Sequence, residues 1–358
     1  MKEYKIKVRH YSFNCPQCGT GYDLNHTASG NLDIECGDCK CMMHVDASEL
    51  PELYCDAEEV FRLGKQSFDW GNYDDALFYL SAAAECNHPG ALFLMRRLYS
   101  DGLGVEQNKD TALKYLEKAA AMGSCDALND LGNIAAGKDE IEKAKKYYLT
   151  AAYKGNSDAM YNYGYTLAGE TAETVNEEAI KWLERAGNKG DPFSYNKIGL
   201  IYESVKDYPR AFEWYRRAAN AGGASGMFNY GRFLKYSNIL STELPPPDEE
   251  KAFGFVQKAA RLNYTAAMQL LATFYEEGKV IEKDENKMLI WRTRAAEAGD
   301  DLAQLELGLW YYKQKHDIQK ALEWTKKSYD QGYEYAIKVY PQLLEEYNQR
   351  SAAGDLTW

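Results

Sequence analysis

The residues of this 358-residue chain with the clearest chemical spacing are four cysteines. They form two Cys-x-x-Cys pairs, Cys15-Pro16-Gln17-Cys18 and Cys36-Gly37-Asp38-Cys39, with 17 residues between them. That interval is the one expected of a four-cysteine zinc site. Two short turns of this kind deliver four thiolates tetrahedrally to one zinc ion at about 2.3 Å. Such a centre leaves no open position for water or substrate, so its chemistry is structural and not catalytic. A segment of about 50 residues is too small to hold itself by core burial alone. One structural zinc would supply it with roughly 10–16 kcal/mol of apparent binding energy. Cys41 lies two residues past the second pair and is an alternative to Cys39 as the fourth ligand.

Elements that could position these thiolates are visible on either side. Tyr4–Val8, Leu32–Glu35 and Met42–Val45 alternate apolar and polar residues and read as short strands. With Tyr22 and Leu24 following Cys-Pro-x-Cys, residues 1–50 resemble the zinc-ribbon family. Ribbons can also recognise protein or nucleic acid through their strands. Residues 1–55 hold five Lys/Arg against eight Asp/Glu, a net of −3, and thiolate–zinc adds further negative charge. The basic residues do cluster, as Lys5, Lys7 and Arg9.

The rest of the chain is organised by small residues. Ala76, Ala112, Ala144, Ala179, Ala211, Ala252, Met288 and Ala321 form one column, at spacings of 36, 32, 35, 32, 41, 36 and 33. A second column stands seven residues later (Ala83 to Ser328) and a third eight residues beyond that (Ala91 to Ala336). Self-similarity at this period marks a helical solenoid. Segments such as Ala112–Ala120 carry apolar residues at helical spacing with Lys and Glu opposite. Glycines recur inside the preceding helices, at Gly132, Gly164, Gly199, Gly231 and Gly308. A helix-interior glycine costs about 0.5–1 kcal/mol relative to alanine, so its recurrence implies close helix approach. Gly123, Gly155, Gly190, Gly222, Gly299 and Gly332 follow the second helices, where a left-handed cap is expected.

Ala112–Gly123, Asp126–Gly132, Arg210–Gly222 and Ala295–Gly308 together resemble the Sel-like repeat (SLR) family, a relative of the tetratricopeptide repeat (TPR). The resemblance implies a mainly α, right-handed α/α superhelical solenoid of about eight helix pairs over 56–350. The small N-terminal β zinc ribbon precedes it and a tail follows at 351–358. The sixth repeat carries an insert, Ser237–Glu250, whose Pro245, Pro246 and Pro247 favour an extended, exposed loop.

Composition narrows the function. Net charge is −12, and the repeats carry −9 of it. Nucleic-acid affinity comes largely from Lys/Arg neutralising phosphate, so this balance argues against it. No stretch approaches the ~20 apolar residues of a membrane span, and the N-terminus lacks the apolar core of a signal peptide. Scattered single thiols (Cys55, Cys86, Cys125) beside a zinc–thiolate site fit a reducing cytoplasm. Gly132–Asp139 has the glycine and lysine spacing of a phosphate-binding loop, but Asp139 replaces the required Ser/Thr and the repeat puts the stretch at a helix end. The five histidines are dispersed, and the carboxylate pairs Glu177-Glu178 and Glu249-Glu250 sit at helix starts, where they favour the dipole. No catalytic site is expected.

Binding residues are sought on the first helices, which line the concave face in tandem helix-pair folds. Three residues before each glycine position stand Phe61, Phe93, Asn129, Tyr161, Asn196, Phe228, Gln269 and Leu305. One residue after it stand Lys65, Arg97, Asn133, Tyr165, Leu200, Arg232, Thr273 and Leu309. Amides pair with an extended peptide backbone, and aromatics give rigid contact area. Asn133 matches the place of a peptide-binding asparagine in many TPR domains. The first column is open to two readings, groove lining or packing against a neighbouring repeat. The second reads as groove. The expected function is a non-enzymatic scaffold or adaptor that binds a protein or peptide. The alternative is a nucleic-acid-associated regulator that uses the ribbon.

Overall fold

A computed structural model describes residues 5–14, 21–26, 31–35, 42–46, 53–169 and 174–353. Five strands come first: β1 Lys5–Asn14, β2 Gly21–His26, β3 Asn31–Glu35, β4 Met42–Asp46 and β5 Leu53–Asp56. β1 pairs antiparallel with β2, from Arg9↔His26 to Asn14↔Gly21, and with β5, from Lys5↔Asp56 to Val8↔Leu53. β3 and β4 form a separate antiparallel pair that ends at Glu35↔Met42. Cys15, Cys18, Cys36, Cys39 and Cys41 lie outside the described residues.

Seventeen helices follow among the described residues. They are α1 Ala57–Asp69, α2 Tyr73–Glu85, α3 Pro89–Asp101, α4 Lys109–Ala121, α5 Cys125–Gly137, α6 Ile141–Tyr153, α7 Ser157–Ala168, α8 Glu177–Asn188, α9 Pro192–Ser204, α10 Tyr208–Asn220, α11 Ala224–Leu240, α12 Glu249–Arg261, α13 Thr265–Glu277, α14 Glu285–Glu297, α15 Asp301–Gln314, α16 Ile318–Asp330 and α17 Glu334–Ala353. Odd-numbered helices α1 to α15 are the first of each pair, and α17 follows the last pair.

Short polar side chains start these helices. Asn108, Ser124, Asp191, Asp248, Asp284 and Asp317 each accept a hydrogen bond from a backbone N–H of the first turn. Each such cap contributes about 0.5–2 kcal/mol. The glycines after the second helices have φ between 82° and 102°, the left-handed region. In the first and sixth repeats the same place is held by Asn87 (φ 60°) and Asn263 (φ 61°), and asparagine is among the few residues that visit this region routinely.

The alanine columns are buried because helices meet across them. In the second helices Ala76, Ala83, Ala179, Ala186, Ala211 and Ala218 are fully buried. The interior glycines face the second helix of their own pair. A Cβ on Gly199 would stand 2.5 Å from the ring of Tyr215, and one on Gly132 would stand 2.4 Å from Tyr148.

The helices divide into two compact units, Met1–Ala159 and Met160–Trp358. The first has a core of Val60, Leu80, Leu92, Met95, Leu98 and Leu116. The second is built on Leu183, Ile198, Tyr215, Phe233, Leu271 and Phe274. Each such side chain gives about 1.5–3 kcal/mol on burial.

The insert departs from the sequence expectation in its first half. α11 continues through Ser237 to Leu240, past a non-helical residue at Tyr236 (φ −114°, ψ 17°). Proline disfavours helix only from the residue before it, so the prolines leave α11 free to run on until Ser241, whose extended backbone (φ −164°, ψ 145°) ends it. Pro245, Pro246 and Pro247 are exposed outside any helix, as expected, while Leu244 turns inward and is 9% exposed.

Candidate partner-binding face

In each unit one pair of successive first helices lies in direct contact. α1 packs on α3 and α9 packs on α11, whereas α8 and α10, or α10 and α12, make no comparable contact. Helices that approach their counterparts across a repeat form the inner side of the stack.

The first column is mostly drawn into these helix junctions. Asn129 (8% exposed) and Asn196 (9%) are buried, and Asn196 Oδ1 accepts a hydrogen bond from Asn229 Nδ2 of α11 at 2.9 Å. Phe61 stacks on His88 at 4.3 Å, and Phe228 lies 5.3 Å from Tyr264, both in the turn before the next first helix. Phe93 is half-buried under the Arg96 guanidinium. Tyr161 is half-buried 6.0 Å from Tyr165, and burial pushes its phenol above the ordinary range. For Asn129, Asn196, Phe61 and Phe228 the packing reading is the one that fits.

The second column faces outward from the same helices. Tyr165 is 40% exposed and Leu200 42%. Lys65 and Arg97 are exposed; Lys65 pairs with Asp69, and Arg97 lies over the Phe68 ring at 4.9 Å. Asn133 is exposed, with Oδ1 accepting from the Tyr148 hydroxyl at 2.9 Å. Lys197 holds its ammonium 4.0 Å above the Tyr165 ring. Arg232 is half-buried, and its Nη2 donates to both Glu203 oxygens, at 2.8 and 2.7 Å.

That last contact belongs to a ladder of polar bonds that joins successive first helices. Glu203–Arg232 links α9 to α11, Lys235–Glu277 (2.8 Å) links α11 to α13, Gln269–Glu306 links α13 to α15, and Tyr312–Glu346 (2.7 Å) links α15 to α17. In the first unit Arg96–Asp130 links α3 to α5. Lys235 is the most demanding member, because its side chain is only 3% exposed. A buried ammonium requires compensating charge, which Glu277 and, at 3.6 Å, Glu249 supply. Burial pushes the Glu277 carboxyl up, but the hydrogen bond and charge of Lys235, with those of Lys279, outweigh it and hold it below the ordinary carboxylate range. Burial, reinforced by Glu203, pushes the Tyr215 phenol far above its ordinary value.

The sequence columns hold only part of this ladder, Arg232 and Gln269. Glu203 and Lys235 stand four residues after the glycine position of consecutive repeats, but Glu277 stands five after that of the next, so no single column holds them. Tyr165 and Leu200 are the exposed aromatic and aliphatic side chains of the second column.

Gly132–Lys138 closes α5, with Lys138 as its C-cap, so the phosphate-loop spacing falls at a helix end. Glu177 and Glu249 open α8 and α12, where the dipole favours them. Among the described residues no group of three or more His, Cys, Asp or Glu could hold a metal, and no helix is long and apolar enough to cross a membrane.

The Sel1 repeat family model matches residues 62–88, 91–124, 127–156, 157–191, 197–223, 224–264, 265–300 and 301–333. Chitin synthase regulator SKT5 of Saccharomyces cerevisiae is 23% identical over 311 residues, covering 83% of this chain and 38% of that protein. The chain thus spans well under half the length of that relative. Among solved structures, c5321, a protective antigen of uropathogenic Escherichia coli strains with an SLR fold, superposes with a TM-score of 0.62 at 25% identity, covering 78% of this chain and 62% of that one. A Sel1 repeat protein from Oxalobacter formigenes gives 0.60 at 25% identity, over 80% and 87%.

Proposed function

The chain belongs to the Sel1 repeat family, and on that premise we propose that it is a cytoplasmic, non-enzymatic adaptor that binds a protein or peptide along the inner face of its first helices. Repeats of this family are typically protein-interaction scaffolds, and a regulator of chitin synthase among its relatives fits a regulatory adaptor. The observation that carries the reading is the pairing of inner-face charge. With Arg232 held by Glu203 and Lys235 held by Glu277, Tyr165 and Leu200 stand exposed as contact area on neighbouring first helices. Rigid aromatic area of this kind suits a peptide or a partner helix, because little side-chain entropy is lost on contact.

The cysteine segment supports a second component. Residues 15–20 join β1 to β2 and residues 36–41 join β3 to β4, so each Cys-x-x-Cys pair falls between two paired strands. Cys15, Cys18, Cys36 and Cys39 would hold one structural zinc there, and the metal would supply folding energy to a segment with little core of its own.

A photo-crosslinking residue placed at 165 or 200 tests the adaptor reading in host extract. Capture of a discrete partner from these sites, with none from 181 or 213 on the second helices, is the expected result. Equal capture from both sets, or from neither, overturns it.

A further inference from the structure

In the second unit, α13, α14 and α15 border an open cavity of about 230 Å³, lined by Glu276, Arg292, Glu306, Leu309, Trp310, Lys313 and Gln314. Leu309 belongs to the same column as Tyr165 and Leu200, so the cavity continues the proposed contact face. Its polar wall is built around Arg292, which is only 3% exposed. Arg292 Nη2 donates to Glu276 Oε2 at 2.7 Å and meets Glu306 Oε2 at 3.0 Å. Gln269 Nε2 donates to the same Glu306 oxygen. Two buried atoms of this cluster are left without a hydrogen-bond partner among the described residues, the donor Arg292 Nε and the acceptor Gln269 Oε1. Native interiors leave few such groups, so the polar cluster behind the cavity wall is incompletely satisfied by the chain's own side chains.

The charges on the wall define the ligand. Two carboxylates and two cations line the cavity, so its formal charge is zero. A charged ligand of either sign would meet as much repulsion as attraction while losing its own hydration. A neutral amide meets no such opposition. Its carbonyl can accept from Arg292 or Lys313, and its N–H can donate to the Oε1 atoms of Glu276 and Glu306, whose Oε2 atoms are used on Arg292. Trp310 and Leu309 supply the apolar wall for a short methylene stem. We propose that this cavity is an amide-recognition subsite that receives a glutamine or asparagine side chain, or a backbone amide, of the bound partner. The inference rests on the inner-face adaptor reading.

The test uses the full chain labelled with ¹⁵N-tryptophan, the Trp310 indole resonance being assigned by Trp310→Phe. N-acetylglutamine methylamide, and the corresponding leucine, lysine and glutamate compounds, are titrated in at millimolar concentration. The leucine compound carries backbone amides only and so separates the two amide sources. A saturable shift of the Trp310 indole by the glutamine compound, at least 5-fold tighter than by lysine or glutamate, is expected. If leucine, lysine and glutamate all match glutamine, the shared backbone amide is the group read; if all three are weaker, the side chain is. Lys313→Ala should weaken the response while leaving the other indole resonances in place. Stronger binding of lysine or glutamate, or no Trp310 shift with any compound, overturns the proposal. Capture from positions 165 and 200 together with a silent Trp310 would sink this subsite alone, whereas loss of that capture would sink the adaptor reading.

Discussion

Two glycine-to-alanine variants should move the stability of the second unit in opposite directions. Gly226 lies in the first turn of α11, where α11 crosses α10. An alanine Cβ there would stand 2.4 Å from the Cβ of Ala218, 2.7 Å from its carbonyl carbon and 3.0 Å from the Ala219 nitrogen. Carbon atoms prefer about 3.5–4.0 Å, so the helices would have to part by roughly 1 Å. Two of the three obstructing atoms are backbone, which no rotamer change can move aside. Overpacking of this kind costs typically 1–3 kcal/mol. Higher helix propensity returns at most about 1 kcal/mol, which leaves a net loss on the order of 1–2 kcal/mol. Gly254, in α12, has nothing within 4 Å of its would-be Cβ, so Gly254→Ala should gain about 0.5–1 kcal/mol. For a unit of about 200 residues, 1 kcal/mol moves Tm by roughly 2–4 °C. Calorimetry on the full chain should therefore separate the two variants by several degrees, with Gly226→Ala below the parent protein and Gly254→Ala at or above it. Equal Tm values for the two variants would refute the close-approach account of the small-residue columns.

His88 caps α3 through Nδ1, which accepts from the Ala91 N–H at 3.2 Å, so His88→Ala should cost about 1–2 kcal/mol and speed hydrogen exchange at Ala91; unchanged exchange would count against the cap. Lys235→Met should destabilise by about 3 kcal/mol, because Glu249 and Glu277 lose their shared buried cation and only Glu277 keeps another, Lys279, and adding Glu277→Leu should recover part of that loss in denaturant titrations. Glu277 has a folded-state pKa below its ordinary value of 4.5, so its contribution is complete above about pH 4.5 and disappears as pH falls through the folded value; Glu277→Gln should flatten that acid limb of the stability profile. Metal analysis should find one zinc per chain, absent from Cys15→Ser and from Cys36→Ser, and a full complement in either variant would remove these residues from the ligand set.

The repeat was legible because the forces behind it act at fixed spacing. Where two helix axes come close, only a small side chain fits, and Ala83, Ala119 and Ala151 announce this without reference to anything distant. The turn glycines were equally readable, since a positive φ restricts residue choice locally. Which face of a first helix meets a neighbour was not readable. Asn196 and Tyr165 are both polar-capable inner residues, yet one is buried against Asn229 and the other is exposed, a difference of about one helical turn that depends on the crossing of α9 and α11. The ladder was hidden for a related reason. Glu203–Arg232 spans 29 residues and Lys235–Glu277 spans 42, because the insert before α12 lengthens one repeat, so no fixed period exposes the pairs.

The ladder also bears on how a chain of similar repeats finds its order. The alanine columns are interchangeable: any second helix offers much the same surface to any following first helix. The ladder residues are not. Were α13 to dock on α9 and skip a pair, Glu203 would face Thr273 at the place now held by Arg232, and the Lys235 ammonium would lose Glu277. A skipped repeat would then carry unpaired buried charge, whose cost is several kcal/mol per ion. Mispairing between similar neighbours is a characteristic failure of repeat proteins. In this chain the polar bonds give the junctions that carry them an address, so assembly in the wrong order is penalised at the helix face where it would begin.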